Sequence, residues 1–178
     1  MASIQPDVFL KIGYGVYLVT SLGSKSQFNG LVANVVVQIT SNPAQFAICI
    51  NKNNLTHGYI QRSKVFGVTI LEEATPMTFI GTFGFKSGRD INKFENISFE
   101  LGSETDAPLV LDYGVGVMEL EVVGEMDAIT HTLFVGQVKS ARIIKDTPAM
   151  TYAYYREVKK GKSSKLAPTF VADRKGVT

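Results

Sequence analysis

The stretch INKNNLTH, residues 50–57, gathers one ammonium, several carboxamides and a hydroxyl on a few consecutive positions. Lys52 supplies charge, Asn51 and Asn53 supply amide donors, and Thr56 supplies a hydroxyl beside the free N–H groups of a helix that starts there. Such a set suits a phosphate-like dianion, which takes several charge-assisted hydrogen bonds. By itself the octapeptide reads first as an ordinary cap, with Asn54 or Thr56 at the turn and Lys52 in water. In NGLVANV, residues 29–35, Gly30 lets the backbone approach a flat ligand, while small Ala33 and polar Asn34 can serve that ligand's edge. Asn29-Gly30 is equally a strong hairpin signal. In SGRDINKF, residues 87–94, Arg89 and Lys93 lie four apart and share one face if the segment is helical, offering two cations to a phosphate or to a partner's carboxylates. The same residues serve a solvated turn with Asp90 as local partner. His131 heads HTLFVGQV, where a lone histidine in a strand is more often structural than chemical.

Several other chemistries drop out on residue types. One cysteine, Cys49, and two distant histidines, His57 and His131, give no metal-ligand spacing, so no metal is expected. No GxGxxG follows a strand, and neither GxxxxGK[ST] nor GxSxG occurs. The single cysteine excludes an intramolecular disulfide, and MASIQPDVFLKIG has neither a basic n-region nor an uninterrupted apolar core, which predicts a cytoplasmic protein. No run approaches 18 apolar residues, so no membrane span is expected. The net charge of +2 hides an asymmetry, because residues 156–178 hold seven basic and two acidic side chains. The run REVKKGKSSK lacks interleaved aromatics and the rest of the chain is slightly acidic, so a solvated or partner-facing tail is expected and nucleic acid is not.

A frame must position these groups. A chain of 178 residues, 45% hydrophobic with 16 glycines, most simply makes one domain that buries roughly 70% of its unfolded surface. GYGVYLVTS, LVANVVVQIT, AQFAICI, VFGVTIL, GVMELEVVGEM and HTLFVGQVKSARII are rich in Val, Ile, Phe and Tyr and predict strands. In MELEVV, Met118, Leu120 and Val122 alternate with Glu119 and Glu121, the pattern of an antiparallel strand wetted on one face. LVANVVVQIT is more apolar throughout and reads as more central. Helices are predicted from Asn54 or Thr56 to about Lys64, and from Thr75 with Pro76 at the first position. The expected domain is 1–157, mainly antiparallel β with a few short helices, followed by a basic C-terminal extension, 158–178.

The motifs, taken in order, resemble the flavin reductase family with the FMN-binding split barrel, especially its flavoredoxin and high-molecular-weight rubredoxin branch. Asn29 to Asn34, Asn51-Lys52, Thr56-His57, SGRDINKF, HTLFVGQV and YREVKKGKSSKLAPTF carry the resemblance, which covers nearly the whole chain. Leu31 and Val32 stand where the family often has Met-Thr, Val35 where an aromatic is common, and Thr130 where an aspartate often precedes His131. The resemblance implies an antiparallel split β-barrel and FMN held by residues from Asn29 to Val35, by Asn51, Lys52, Asn53 and Thr56, and by Ser87, Arg89 and Lys93. Tyr154 and Tyr155 would serve as aromatic covers, and His131 would lie near the flavin and the nicotinamide of bound NAD(P)H. It implies an NAD(P)H-dependent flavin reductase, or alternatively an FMN electron carrier serving a rubredoxin-like or diiron partner without NAD(P)H activity of its own. It also implies a homodimer with FMN at the subunit interface, the basic extension packing on or near it.

Overall fold

The computed structural model describes residues 4–24 and 27–170. Runs of β-branched and aromatic residues become β1 (Tyr17–Leu22), β4 (Ala44–Asn51), β5 (Val65–Leu71), β8 (Gly114–Ala128) and β9 (His131–Ile143). With β2 (Phe28–Ala33) and β3 (Val36–Ser41) they form one seven-stranded sheet in the order β2-β1-β5-β8-β9-β4-β3. Its pairings are antiparallel throughout. The ladder does not close, since β2 and β3 lie at opposite edges. Only Asn34 and Val35 separate these two strands in the chain, a span of at most about 11 Å. The sheet must therefore curl until its two edges approach at that corner.

Apolar side chains on the two faces of β1 feed different cores, as a period of two requires. Leu18 packs with Val16, Leu71, Phe79, Ile80, Phe83 and Met150, whereas neighbouring Val19 packs with Ile48, Ile50, Ile60, Phe66, Leu120 and Phe134. Helix α1 (Leu55–Ser63) covers one face through Tyr59 and Ile60; α2 (Met77–Phe85) covers the other through Phe79, Ile80 and Phe83. Each such side chain, fully buried, is worth ~1.5–3 kcal/mol. Both helices start within two residues of the expected positions. A third, α3 (Tyr152–Glu157), was not expected; Thr151 caps it by accepting from the Tyr154 amide. A small hairpin, β6 (Phe99–Leu101) with β7 (Pro108–Val110), lies outside the main sheet.

Three expectations are corrected. LVANVVVQIT is not a central strand: it breaks at Asn34-Val35 and supplies parts of both edges, leaving Val37 53% and Ile39 52% exposed on β3. Asn29 and Gly30 form no hairpin turn; they lie inside β2, opposite Ser21 and Thr20. Glu119 is 1% exposed, not wetted, because a register shift beside it and the 103–105 loop enclose its carboxylate. That carboxylate accepts from the Glu104 and Thr105 amides at 3.1 and 2.9 Å and from Thr105 Oγ1 at 2.8 Å.

Candidate functional site

A cleft of about 220 Å³ opens where β2, the junction of β4 with α1, the loop after α2 and the chain returning after α3 converge. Buried polar bonds set its floor. Asn29 Nδ2 donates to Thr56 Oγ1 at 2.9 Å, tying β2 to the first turn of α1. Thr56 is thus held from the sheet and does not cap the helix. Gly88 lies so close to the Asn29 carboxamide that any Cβ would collide with it. At Gly30 a Cβ would press on Thr20 and the Phe83 ring, and the Gly30 carbonyl accepts from Lys93 Nζ at 2.9 Å.

The entrance to α1 is left open toward the cleft. Asn51 Oδ1 accepts from the Asn53 amide at 3.0 Å, and Asn54 makes no side-chain cap. Asn53, Asn54, Leu55 and Thr56 all border the cleft, so the start of α1, the positive end of its dipole, lies at the edge of this space. Opposite them the loop after α2 turns on Ser87, whose hydroxyl accepts from the Arg89 amide at 3.1 Å. Arg89 Nη1 reaches across to the Asn53 carbonyl at 3.3 Å. Arg89 and Lys93 do not share a helical face, because residues 87–94 form consecutive turns; they reach the cleft from separate positions on them.

Among the described residues, charge in the cleft has one sign: Lys86, Arg89 and Lys93 line it, and no aspartate or glutamate does. Lys93 is buried, with Nζ donating to the Gly30 carbonyl and, at 3.1 Å, to the Phe83 carbonyl, and burial lowers its pKa to about 8. The Cys49 thiol also lines the cleft and is pushed up by burial, which keeps it protonated near neutral pH. Among the described residues, no three His, Cys, Asp or Glu side chains gather as metal ligands.

Of the residues singled out from the sequence, Asn29, Leu31, Val32, Ala33, Asn34, Asn51, Asn53, Thr56, Ser87, Arg89 and Lys93 are brought together around this space. The others stand apart. Gly30 acts through its backbone behind the wall, and Val35 is not part of the lining. Lys52 turns away and pairs with Asp127 at 2.6 Å, on an exposed surface where such a pair contributes little. Tyr154 lies under the Lys159 ammonium; Tyr155 is a core residue bordering a second cavity of about 40 Å³. His131 is buried beside the cleft, its Nδ1 2.9 Å from Thr130 Oγ1 and its Nε2 3.2 Å from the Leu166 carbonyl oxygen. His57 bonds to Thr132 Oγ1 at 2.8 Å, and burial above all lowers its pKa, so it is a neutral core histidine.

Sequence reasoning missed two walls. One is the end of α2, Phe83 to Phe85, whose apolar run reads only as core. The other is Ser164 with Leu166 to Pro168, in the extension expected to pack on or near the dimer but given no site residues. The apolar trio Leu166, Ala167 and Pro168 inside a lysine-rich tail was the available signal.

Residues 9–162 match the family described as flavin reductase like domain. The chain is 45% identical over 164 residues to a ferric-chelate reductase (NAD(P)H) of Archaeoglobus fulgidus, a match covering 92% of this chain and 96% of that protein. It is 44% identical over 161 residues to a high molecular weight rubredoxin of Moorella thermoacetica, covering 90% and 69% respectively. Two solved structures share the fold: the NADH:FAD oxidoreductase SgcE6 of Streptomyces globisporus, with a TM-score of 0.75 at 24% identity over 86% of this chain and 94% of that one, and flavoredoxin from Methanosarcina acetivorans, with 0.71 at 21% over 82% and 76%.

Proposed function

The chain belongs to the flavin reductase like domain family, and from that premise we propose an FMN-dependent oxidoreductase that takes electrons from NAD(P)H. The observation that carries the reading is a cleft lined, among the described residues, by three cations and no carboxylate, set against the uncapped start of α1. That arrangement fits an anion of high charge density. Arg89, the Ser87 loop and the first amides of α1 would hold the phosphate. Leu31, Val32, Phe83 and Phe85 give an apolar surface for a ring, with small Ala33 and Gly84 allowing close approach and Asn34 offering a carboxamide to its edge. The exposed cations lie on a single loop, Lys86 to Arg89, which supports one terminal phosphate and hence FMN over FAD.

Bound flavin would supply the redox chemistry, accepting hydride from the nicotinamide and passing electrons onward. The chain's own residues bind, orient and shield. The curled, open sheet supports a split barrel, and exposed Val37 and Ile39 on β3, with Met126 and Ile129 at the tip of the β8–β9 hairpin, support a homodimer that covers them. A second reading, an electron carrier serving a rubredoxin-like protein, is supported by the relative named high molecular weight rubredoxin.

The spectrum of the purified protein tests both. A flavin absorption that bleaches at a catalytic rate on anaerobic addition of NADH or NADPH is expected. Protein that neither carries flavin nor quenches added FMN would overturn the cofactor assignment, and bound flavin that stays oxidised in excess NAD(P)H would leave the carrier.

A further inference from the structure

After α3 the chain doubles back, and residues 159–170 run over the cleft without joining the sheet. A small number of side-chain bonds fix this strap. Lys159 Nζ donates to the Glu73 carbonyl at 2.8 Å, Tyr155 Oη to the Lys162 carbonyl at 2.9 Å, and Tyr152 Oη bonds Ser163 Oγ. Farther along, Leu166 O meets His131 Nε2, and Asn34 Nδ2 donates to Thr169 Oγ1 at 2.7 Å. The apolar side of the strap faces the cleft, and its Ser164 and Ala167 also border the smaller cavity. A ligand in the cleft therefore has the strap as one of its walls.

The bonds of His131 engage both sides of its ring. A carbonyl only accepts, so Nε2 carries a proton and donates to Leu166 O, while Nδ1 bonds the Thr130 hydroxyl at 2.9 Å. Both ring nitrogens are used in holding protein, and the imidazole has no proton or lone pair left for a ligand while the strap is down.

We propose that the strap, residues 159–170, closes over the flavin cleft and retains the flavin as a resident cofactor, and that His131 is the positioning residue that seats it through the Leu166 carbonyl. This rests on the cleft being a flavin site. The distal half of the strap, Leu166 to Thr169, is held to the rest of the protein by the His131 and Asn34 bonds. Loss of either bond should loosen the wall and let flavin leave faster. A neutral hydrogen bond of this kind corresponds to a factor of about 2 to 12, so removal of either is expected to raise the flavin dissociation rate by about 3- to 10-fold.

The strap reports its own opening, because Lys162 and Lys165 are trypsin sites within it. The experiment compares full-length wild type with His131→Phe, His131→Gln and Thr169→Val, measuring FMN dissociation by stopped-flow fluorescence and, by mass spectrometry, tryptic cleavage after Lys162 and Lys165 against cleavage after Arg62 at the end of α1. In wild type, FMN should slow cleavage in the strap. His131→Phe and Thr169→Val should speed both flavin release and strap cleavage with the Arg62 cut unchanged, while His131→Gln, which keeps an amide donor, should recover most of the difference. Wild-type rates of release and strap cleavage in His131→Phe and Thr169→Val would overturn the proposal. So would a rise at Arg62 in step with the strap sites, the mark of general loosening. Wild type that binds no flavin at all would instead be a failure of the cofactor reading.

Discussion

Lys93 offers a pH experiment whose sign and size follow from its surroundings. The side chain is 5% exposed, and its ammonium is met by two carbonyl oxygens and the Phe83 ring, with no carboxylate among its partners in the described residues. Burial takes its pKa from an ordinary 10.5 to about 8. Between those two values the unfolded chain holds a proton that the folded chain has released, so folding stability from this group rises with pH; below about 8 the full cost of burying the charge is present. Raising the pH from 7 to 9.5 crosses about 1.5 pH units of that window, which corresponds to ~2 kcal/mol. Urea unfolding of flavin-free wild type and Lys93→Met at both pH values isolates the effect, because other titrating groups cancel in the difference. Wild type should gain about 2 kcal/mol over the variant. Flavin should shift the profile: a dianionic phosphate in the same cleft favours the charged ammonium, so FMN binding takes up a proton above pH 8 and weakens by up to about tenfold per pH unit in wild type, but not in Lys93→Met. Parallel pH profiles for the two proteins, in unfolding and in FMN titration alike, would refute the account of Lys93 as a buried, uncompensated cation of the cleft.

Three further outcomes are expected. Arg89→Ala should weaken FMN by roughly 10- to 150-fold while scarcely changing riboflavin, which lacks the phosphate, whereas Lys52→Ala, whose partner is Asp127, should leave both nearly unchanged; fluorescence titration checks this. Glu119→Ala leaves the Glu104 and Thr105 amides without their buried acceptor and should cost on the order of 3 kcal/mol, lowering the calorimetric melting temperature by roughly 10 °C with flavin affinity little altered. Val37→Lys combined with Ile39→Lys should shift the sedimentation of a dimer toward monomer at micromolar concentration, because both side chains lie exposed on edge strand β3.

The parts of this fold legible in the sequence are those in which a local pattern has one structural outcome. Alternating apolar residues gave β1, β4, β5, β8 and β9, and Asn54 and Pro76 marked the starts of two helices. Patterns with two outcomes misled. Asn29-Gly30 signals a turn, but here glycine is needed inside β2 because Thr20 and Phe83 fill the space of a Cβ. LVANVVVQIT is apolar because its first half packs beneath α2 while its second half lies exposed at the opposite sheet edge, a division that depends on the curl of the whole sheet. Glu119 looks solvated from its strand neighbours alone, since the loop that buries it arrives from about 15 residues away. The same limit governed the site. Asn51, Lys52 and Asn53 are consecutive, yet Asn51 ends β4 and the next two residues turn into α1, so the carboxamides border the cleft and the ammonium meets the β8–β9 hairpin.

The chemistry that remains for the chain itself is defined by which groups can still change state. Among the described residues around the cleft, His57 is neutral and bonded to Thr132, His131 spends both nitrogens on Thr130 and the strap, and the Cys49 thiol is held protonated by burial. Lys93 stays charged below about pH 8 and offers no base at neutral pH. Among the described residues, no carboxylate lines the space. The described groups of the cleft suit holding an anion, seating a flat ring and excluding water. The rate of any electron transfer through it should therefore depend on the placement and residence of the bound flavin and far less on the ionisation of any single side chain. For that reason the strap and Lys93, which act on residence and on charge, are more informative positions for mutation than a search for a catalytic acid.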